Sequence, residues 1–212
     1  MIRSISGAIV LLLLAVAGWG SADFFLDVPR AVVAAGVLSA PFLLSGEMRG
    51  VRQGKERGES TAHFVILALL STVGIAFLFP FFAGHYFVPL PLSSSWRYAG
   101  AFLYLGGYAV RIAATRALKS QFSFFVAIQE NHQLITSGIY SSIRHPIYLG
   151  SLILVTGMAL IFPSWYGFLF LAIYSMLLVR RMRIEEQLLL KHFGSVYEEY
   201  RMKSYRLVPH IY

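Results

Sequence analysis

The sequence predicts an all-α fold: a polytopic membrane helix bundle of about six spans, with both termini inside and a helical hairpin towards the C-terminal end. Three observations predict it. The 212 residues are 57% hydrophobic and only 13% charged, where a soluble domain carries roughly 25% charged residues, and the mean hydropathy is +0.65. Apolar runs recur along the chain, separated by short polar breaks. Lys and Arg are concentrated in alternate breaks. At this length one bundle is expected, without a separate soluble domain.

The first run, 5–25, follows Arg3 and ends in small residues, so it imitates a secretory signal peptide. No clean small-x-small cleavage site precedes a soluble segment, so a retained span is expected. The second span, 29–45, opens at Pro29, a residue suited to the first helical turn. Residues 46–61, GEMRGVRQGKERGEST, form a charged loop punctuated by glycine. The third span runs over 62–83 and ends near Pro80; a loop over 84–95 follows, with no Lys or Arg. Trp96 and Tyr98 open a fourth span reaching about residue 115, as aromatic residues do at a membrane interface.

Residues 116–135 are too polar to span. They read as an interfacial or re-entrant helix, with strand-like character around Phe122–Ile128. Two short apolar runs, 146–162 and 165–180, are separated only by Pro163-Ser164, which forces an antiparallel hairpin. The second continues as a charged helix to His192 and stops at Phe193-Gly194, with glycine as its cap. A last short helix covers 195–203. With six spans and the N-terminus inside, sixteen of the eighteen Lys and Arg residues fall inside, and only Arg30 and Arg97 fall outside. The net charge of +8 is therefore read as flanking spans and meeting anionic membrane lipid, not nucleic acid.

The polar break at 130–150, ENHQLITSGIYSSIRHPIYLG, is too costly to face lipid. It lies at the membrane boundary or lines an enclosed cavity. The topology puts it on the same side as 181–212, so it is expected to form half of a cofactor pocket, with Glu185 and Glu186 supplying the other half. Adjacent helical residues point about 100° apart. One glutamate then faces the pocket while the other meets solvent or Arg181 and Arg183. The plainer alternative is a solvated charged helix, with Arg144-His145 as an interface anchor. The absence of cysteine excludes disulfides, a thiolate nucleophile and thiolate metal sites. Among the six histidines only His63 has an acid at i, i+4, Glu59 in the charged loop, and one such pair does not make a metal site, so none is expected. No nucleophile elbow and no glycine-rich nucleotide loop is present.

Residues His132, Leu134, Gly138, Tyr140, Arg144, His145, Pro146, Tyr148 and Gly150 resemble the signature of the isoprenylcysteine carboxyl methyltransferase and phospholipid methyltransferase superfamily. A second half of the pattern follows in order: Glu185-Glu186, Phe193-Gly194, Tyr197, Tyr200, Arg206 and Pro209. The resemblance covers 130–209. It implies an integral membrane methyltransferase core over 116–212, preceded by membrane helices of unassigned role over 1–115. The implied cofactor is S-adenosylmethionine, entering from the cytosol, and the acceptor is a lipophilic small molecule or lipidated substrate: an isoprenylcysteine-like carboxylate or a lipid amine.

The resemblance also suggests roles. Glu185 or Glu186 takes the donor's ammonium, while His145, Arg144 and the helix N-terminus at Pro146 take its carboxylate. Tyr140 and Tyr148 pack on adenine or sulfonium, and Leu134 offers a backbone group to the adenine edge. His132 and Gly138 complete the cofactor set. Arg144 and Glu186 form the catalytic pair: Arg144 orients a carboxylate acceptor, whereas a glutamate base serves an amine. Two other readings stand beside this one. The ending Tyr205 to Tyr212 also looks like that of membrane sterol and steroid reductases, which bind a nicotinamide cofactor such as NADPH. Arg180, Arg181 and Arg183 would then meet its phosphate, although the paired glutamates oppose a pyrophosphate. The third reading is an inactive membrane adaptor that keeps the fold.

Overall fold

Two helices laid backbone against backbone set the frame of the computed structural model, which describes residues 25–43, 54–57, 90–118, 127–129 and 133–209. In chain order the elements are α1 (Val28–Leu43), β1 (Gly54–Arg57), α2 (Ser94–Leu118), β2 (Ala127–Gln129), a 3₁₀ turn (Gly138–Ser141), α3 (Pro146–Ile161), α4 (Trp165–Phe193) and α5 (Ser195–Lys203). The helices expected from 29, 96, 146, 165 and 195 are all present. The runs at 5–25 and 62–83 lie outside the described residues.

Glycine brings α2 and α3 together. Gly100 and Gly107 on α2 face Gly157 and Gly150 on α3. A Cβ at Gly107 would stand 2.6 Å from the Gly150 carbonyl oxygen, and one at Gly157 would stand 2.5 Å from the Gly100 carbonyl oxygen. Nothing larger than hydrogen fits at either place. Small residues that let backbones touch are how helices associate where water provides no drive. Above this seam Val33, Ala101, Tyr104, Val155, Met158, Ile161 and Phe162 form the core, with Phe170, Leu171 and Tyr174 of α4 packed against it.

Each helix end is tied by a named group. Asp27 accepts from the Arg30 backbone N–H at 3.2 Å and from Arg97 Nη2 at 2.5 Å, while Arg97 Nε donates to the Ile161 carbonyl at 3.2 Å. One carboxylate thus holds the start of α1 to the start of α2, and Arg97 carries the tie to the end of α3. Pro146 opens α3, where its missing N–H removes no bond. Ser164 caps α4, accepting from the Gly167 N–H at 3.2 Å. Gly194 stops α4 at φ 54°, a backbone region glycine enters freely.

α3 and α4 form the expected hairpin, although the closer neighbour of α3 along its length is α2. The expectation for 116–135 needs correction. Residues 116–118 extend α2, and 127–129 form β2, antiparallel to β1 in the register Gly54↔Gln129, Glu56↔Ile128 and Arg57↔Ala127. The all-α expectation is corrected to a helical fold with this small ladder. The ladder joins the charged loop to a segment some 70 residues later, so its backbone groups find partners that no local periodicity announces. Among the described residues no helix is long and apolar enough to cross a membrane. α3 has 16 residues, about 24 Å at 1.5 Å each, and α2 and α4 carry arginines.

Candidate active site

Three backbone hydrogen bonds bring the two polar motifs together. The Tyr205 N–H donates to the Ser142 carbonyl at 2.8 Å, the Arg144 N–H to the Tyr205 carbonyl at 2.8 Å, and the His145 N–H to the Arg206 carbonyl at 3.1 Å. The segment after α5 therefore runs parallel to the strand-like entry into α3, with Ile143 paired to Tyr205. Side chains reinforce the pairing. Tyr200 Oη donates to the Tyr140 carbonyl at 2.6 Å and Ser204 Oγ to the Tyr200 carbonyl at 2.5 Å. Burial, with help from neighbouring charges, pushes the Tyr140 phenol far up, and burial pushes Tyr200 up to about 12. Both stay neutral near pH 7.

Glu186 is the centre of this junction. It is 5% exposed. Arg144 Nε donates to its Oε1 at 3.0 Å, Arg206 Nη2 to its Oε2 at 2.5 Å, and His145 Nε2 lies 3.3 Å from Oε1. Arg144 is held in turn by the Arg201 carbonyl at 3.1 Å and by the Ser204 carbonyl. Burial alone would raise the Glu186 carboxyl. The hydrogen bonds from His145, Arg206 and Arg144 outweigh it and hold the group far below the ordinary value of 4.5. A carboxyl depressed by folding contributes stability that is complete above its unfolded pKa and is lost as pH falls towards its folded one. Thermal unfolding of the purified protein between pH 3 and 7 is expected to show a flat Tm above about pH 5 and a decline below it. Glu186→Gln should flatten that decline.

Glu185 looks elsewhere, as adjacent helical residues must. Its side chain is 33% exposed. Its Oε2 accepts from Tyr148 Oη at 2.6 Å and lies 4.0 Å from His145 Nδ1. The Tyr148 ring stacks on His145 at 5.4 Å, and Arg181 covers the ring at 5.5 Å while donating from Nε to the hydroxyl at 2.8 Å. One turn further along α3, Arg111 Nη1 donates to Ser151 Oγ at 2.6 Å, and Ser151 Oγ donates to the Ile147 carbonyl at 2.9 Å. A carboxylate, two aromatic faces, the α3 N-terminus and two half-buried guanidiniums thus share one flank of the hairpin.

The expected residues therefore separate. Arg144, His145, Pro146, Tyr148, Glu185 and Glu186 come together, with Tyr140 buried beneath them. Leu134 and Gly138 stand on the stretch leading in, Gly138 at φ 62° where the 3₁₀ turn begins. His132 lies outside the described residues. Sequence reasoning placed Arg206 in the motif but not in the site, treated Arg111 only as a topology signal, and offered Arg181 as a partner of a glutamate or of a cofactor phosphate but not of Tyr148. An arginine within an apolar run was the available clue. Ser151 and Ser204 carried no signal, because each looks ordinary until its neighbours are known.

The phospholipid methyltransferase family model matches residues 96–196, a region that begins in α2. The protein-S-isoprenylcysteine O-methyltransferase of Schizosaccharomyces pombe is 36% identical over 111 residues, 51% of this chain and 47% of that protein. The Delta(14)-sterol reductase TM7SF2 of Mus musculus is 36% identical over 87 residues, covering 38% of this chain and only 20% of that protein. Among solved structures, the eukaryotic intramembrane Ras methyltransferase ICMT (isoprenylcysteine carboxyl methyltransferase) superposes with a TM-score of 0.59 at 21% identity, covering 95% of this chain and 73% of that one. The two chains thus share a fold. With the sequence matches, the chain resembles the isoprenylcysteine carboxyl methyltransferase and phospholipid methyltransferase superfamily over residues 96–196. It spans about half the length of the first curated relatives that it matches.

Proposed function

We propose that this chain is an integral membrane methyltransferase that uses S-adenosylmethionine and methylates a lipophilic carboxylate of the isoprenylcysteine kind. The observation that carries the reading is the division of labour between the two glutamates. Glu186 is saturated by Arg144, His145 and Arg206, whereas Glu185 keeps a third of its side chain open beside the His145–Tyr148 stack. An open carboxylate suits an ammonium, aromatic faces suit a sulfonium, and the N-terminus of α3 suits a carboxylate. The residues present fit the donor's three polar groups. Glu185 holds the ammonium, His145 and the helix start at Pro146 hold the carboxylate, and Tyr148 lies against the sulfonium. Leu134 and Tyr140 are assigned to the adenine, and Gly138 and His132 stay in the cofactor set expected from the motif.

When bound, the donor supplies an electrophilic methyl carbon, and transfer is an in-line displacement. The chain's own residues supply alignment and a dry enclosure. Arg144 and Glu186, the catalytic pair expected from the sequence, act through each other by holding His145 and the start of α3 in place. Arg111 and Arg181, which donate to the Ser151 and Tyr148 hydroxyls and not to a carboxylate of the site, are the cations proposed to orient an acceptor carboxylate, since Arg144 is paired with Glu186. Both site carboxylates already accept hydrogen bonds, Glu185 from Tyr148 and Glu186 from cations. In this reading Glu185 is occupied by the donor's ammonium and Glu186 by its cations, which leaves no carboxylate of the site free to serve as a base. That favours a carboxylate acceptor, which has no proton to lose, over a lipid amine.

The membrane placement is part of the proposal: six spans, both termini inside, the site facing the cytosol. Sixteen basic residues on one side support it, and the other two, Arg97 and Arg30, sit against Asp27. Large outward apolar side chains, among them Phe102, Trp165, Leu169 and Met176, suit contact with lipid.

The decisive experiment gives the detergent-solubilised chain a radiolabelled methyl donor with a prenylcysteine analogue and with a lipid extract. Label released as volatile methanol by mild alkali marks a methyl ester and supports the proposal. Stable label in phosphatidylethanolamine products redirects it to an amine. Donor binding without turnover on any acceptor favours the adaptor. The sterol reductase match favours a second reading, which predicts that NADPH, and not S-adenosylhomocysteine, raises the Tm. In the methyltransferase reading, Glu185→Gln weakens binding of S-adenosylhomocysteine about 10- to 100-fold by calorimetry, the worth of one charged hydrogen bond. Because Glu185 is partly open, its Tm should change little.

A further inference from the structure

One buried polar atom beside the site has no role in the network described above. Tyr197, on α5, is 1% exposed. Among the described residues its hydroxyl has no hydrogen-bond partner. The phenol lies close enough to Glu186, Glu185 and Arg144 to feel their charges, and its ring meets Tyr200 edge-on at 6.0 Å. None of these neighbours needs it. The oxygens of Glu186 already receive three cationic or imidazole donors. Arg144 has only donors to offer and already spends them on Glu186 and on backbone carbonyls. Tyr200 uses its own hydroxyl on Tyr140.

A buried hydroxyl without a partner is a cost that phenylalanine would avoid in the same volume. The chain uses 17 phenylalanines elsewhere. The hydroxyl therefore points to an acceptor that arrives from outside the protein. It belongs to the same buried cluster as Tyr200, Arg144 and Glu186 and feels the charge of Glu185, to which the proposed function gives an ammonium; an ammonium near a hydrogen-bond acceptor is the outline of an α-amino acid.

We infer that Tyr197 is a ligand-binding residue whose hydroxyl donates to the carboxylate of the amino-acid end of the bound methyl donor, while Glu185 takes its ammonium. This rests on the proposed function. It adds that the amino-acid end is read by α5, a helix outside the hairpin. Docking of α5 through the 142–145 and 204–206 pairing then completes the donor site, so the C-terminal segment is part of donor recognition.

The test is calorimetry on the full-length protein in detergent with two probes. S-adenosylhomocysteine carries the amino-acid end, and 5′-methylthioadenosine lacks it. Tyr197→Phe is expected to weaken S-adenosylhomocysteine about tenfold, ~1.4 kcal/mol, to leave methylthioadenosine unchanged, and to keep or raise the Tm. Unchanged affinity for S-adenosylhomocysteine, or an equal loss for both probes, overturns the assignment while leaving the methyltransferase reading intact. If the unmodified protein binds neither probe, both fall together. Should Tyr197→Phe fail to fold, 3,5-difluorotyrosine at position 197 keeps the hydroxyl and strengthens it as a donor. It should then change the affinity for S-adenosylhomocysteine and not for methylthioadenosine; no change in either overturns the inference.

Discussion

Glu186→Ala is expected to cost about 3–5 kcal/mol of stability, the scale of removing one partner from a buried ion pair. The reason is what remains. Arg144 and Arg206 would keep their charges in a pocket where Glu186 itself is only 5% exposed, without the carboxylate that both now share. His145 would lose its acceptor as well. The pairing of 142–145 with 204–206 would keep its backbone bonds and the Tyr200–Tyr140 bond but lose the ion pairs that lock it. Thermal unfolding in detergent checks this, and donor binding should fall with it because His145 and the start of α3 lose their anchor. Glu185→Gln is the contrast: affinity falls and Tm holds. Equal Tm losses for the two variants would show that the glutamates are not divided as described.

Gly157→Ile is the second large effect. Its Cβ would stand 2.5 Å from both the Gly100 carbonyl oxygen and the Tyr104 backbone nitrogen. Those atoms belong to helix backbone and cannot rotate away, so α2 and α3 must separate along the core. Overpacking of this kind reaches or exceeds the upper end of ~1–3 kcal/mol. Gly106 is the internal control. It lies on α2, and a Cβ there would meet nothing within 4 Å. Gly106→Ala should therefore leave the Tm unchanged or raise it by the equivalent of ~0.5–1 kcal/mol. If both substitutions behave alike, the glycine seam is not what holds these helices together.

Much of the fold was legible because its signals are local. Pro29, Pro146 and Gly194 mark helix ends through fixed or permitted backbone angles, and Pro163-Ser164 marks the hairpin turn. The β1–β2 ladder was not legible, since it joins segments far apart in sequence and neither shows a strand period long enough to read. In the site, the paired motifs identified Arg144, His145, Tyr148, Glu185 and Glu186. The sequence could not say which glutamate is locked and which is open. Neighbouring residues on a helix differ only in direction, and direction acquires meaning only from what is packed there.

By itself the sequence determined a helical chain rich in apolar runs, its turns and caps, and two polar motifs whose residue types suit a charged methyl donor. Those are properties of composition, of backbone angles and of chemistry that each residue carries wherever it lies. Only the tertiary structure decided that Arg206 closes on Glu186, that Arg111 and Arg181 share the flank with Tyr148, and that Tyr197 brings an unsatisfied hydroxyl to the same place. Hydrogen bonds and ion pairs act over about 3 Å. Partners 20 to 60 residues apart therefore become partners only once the helices have packed.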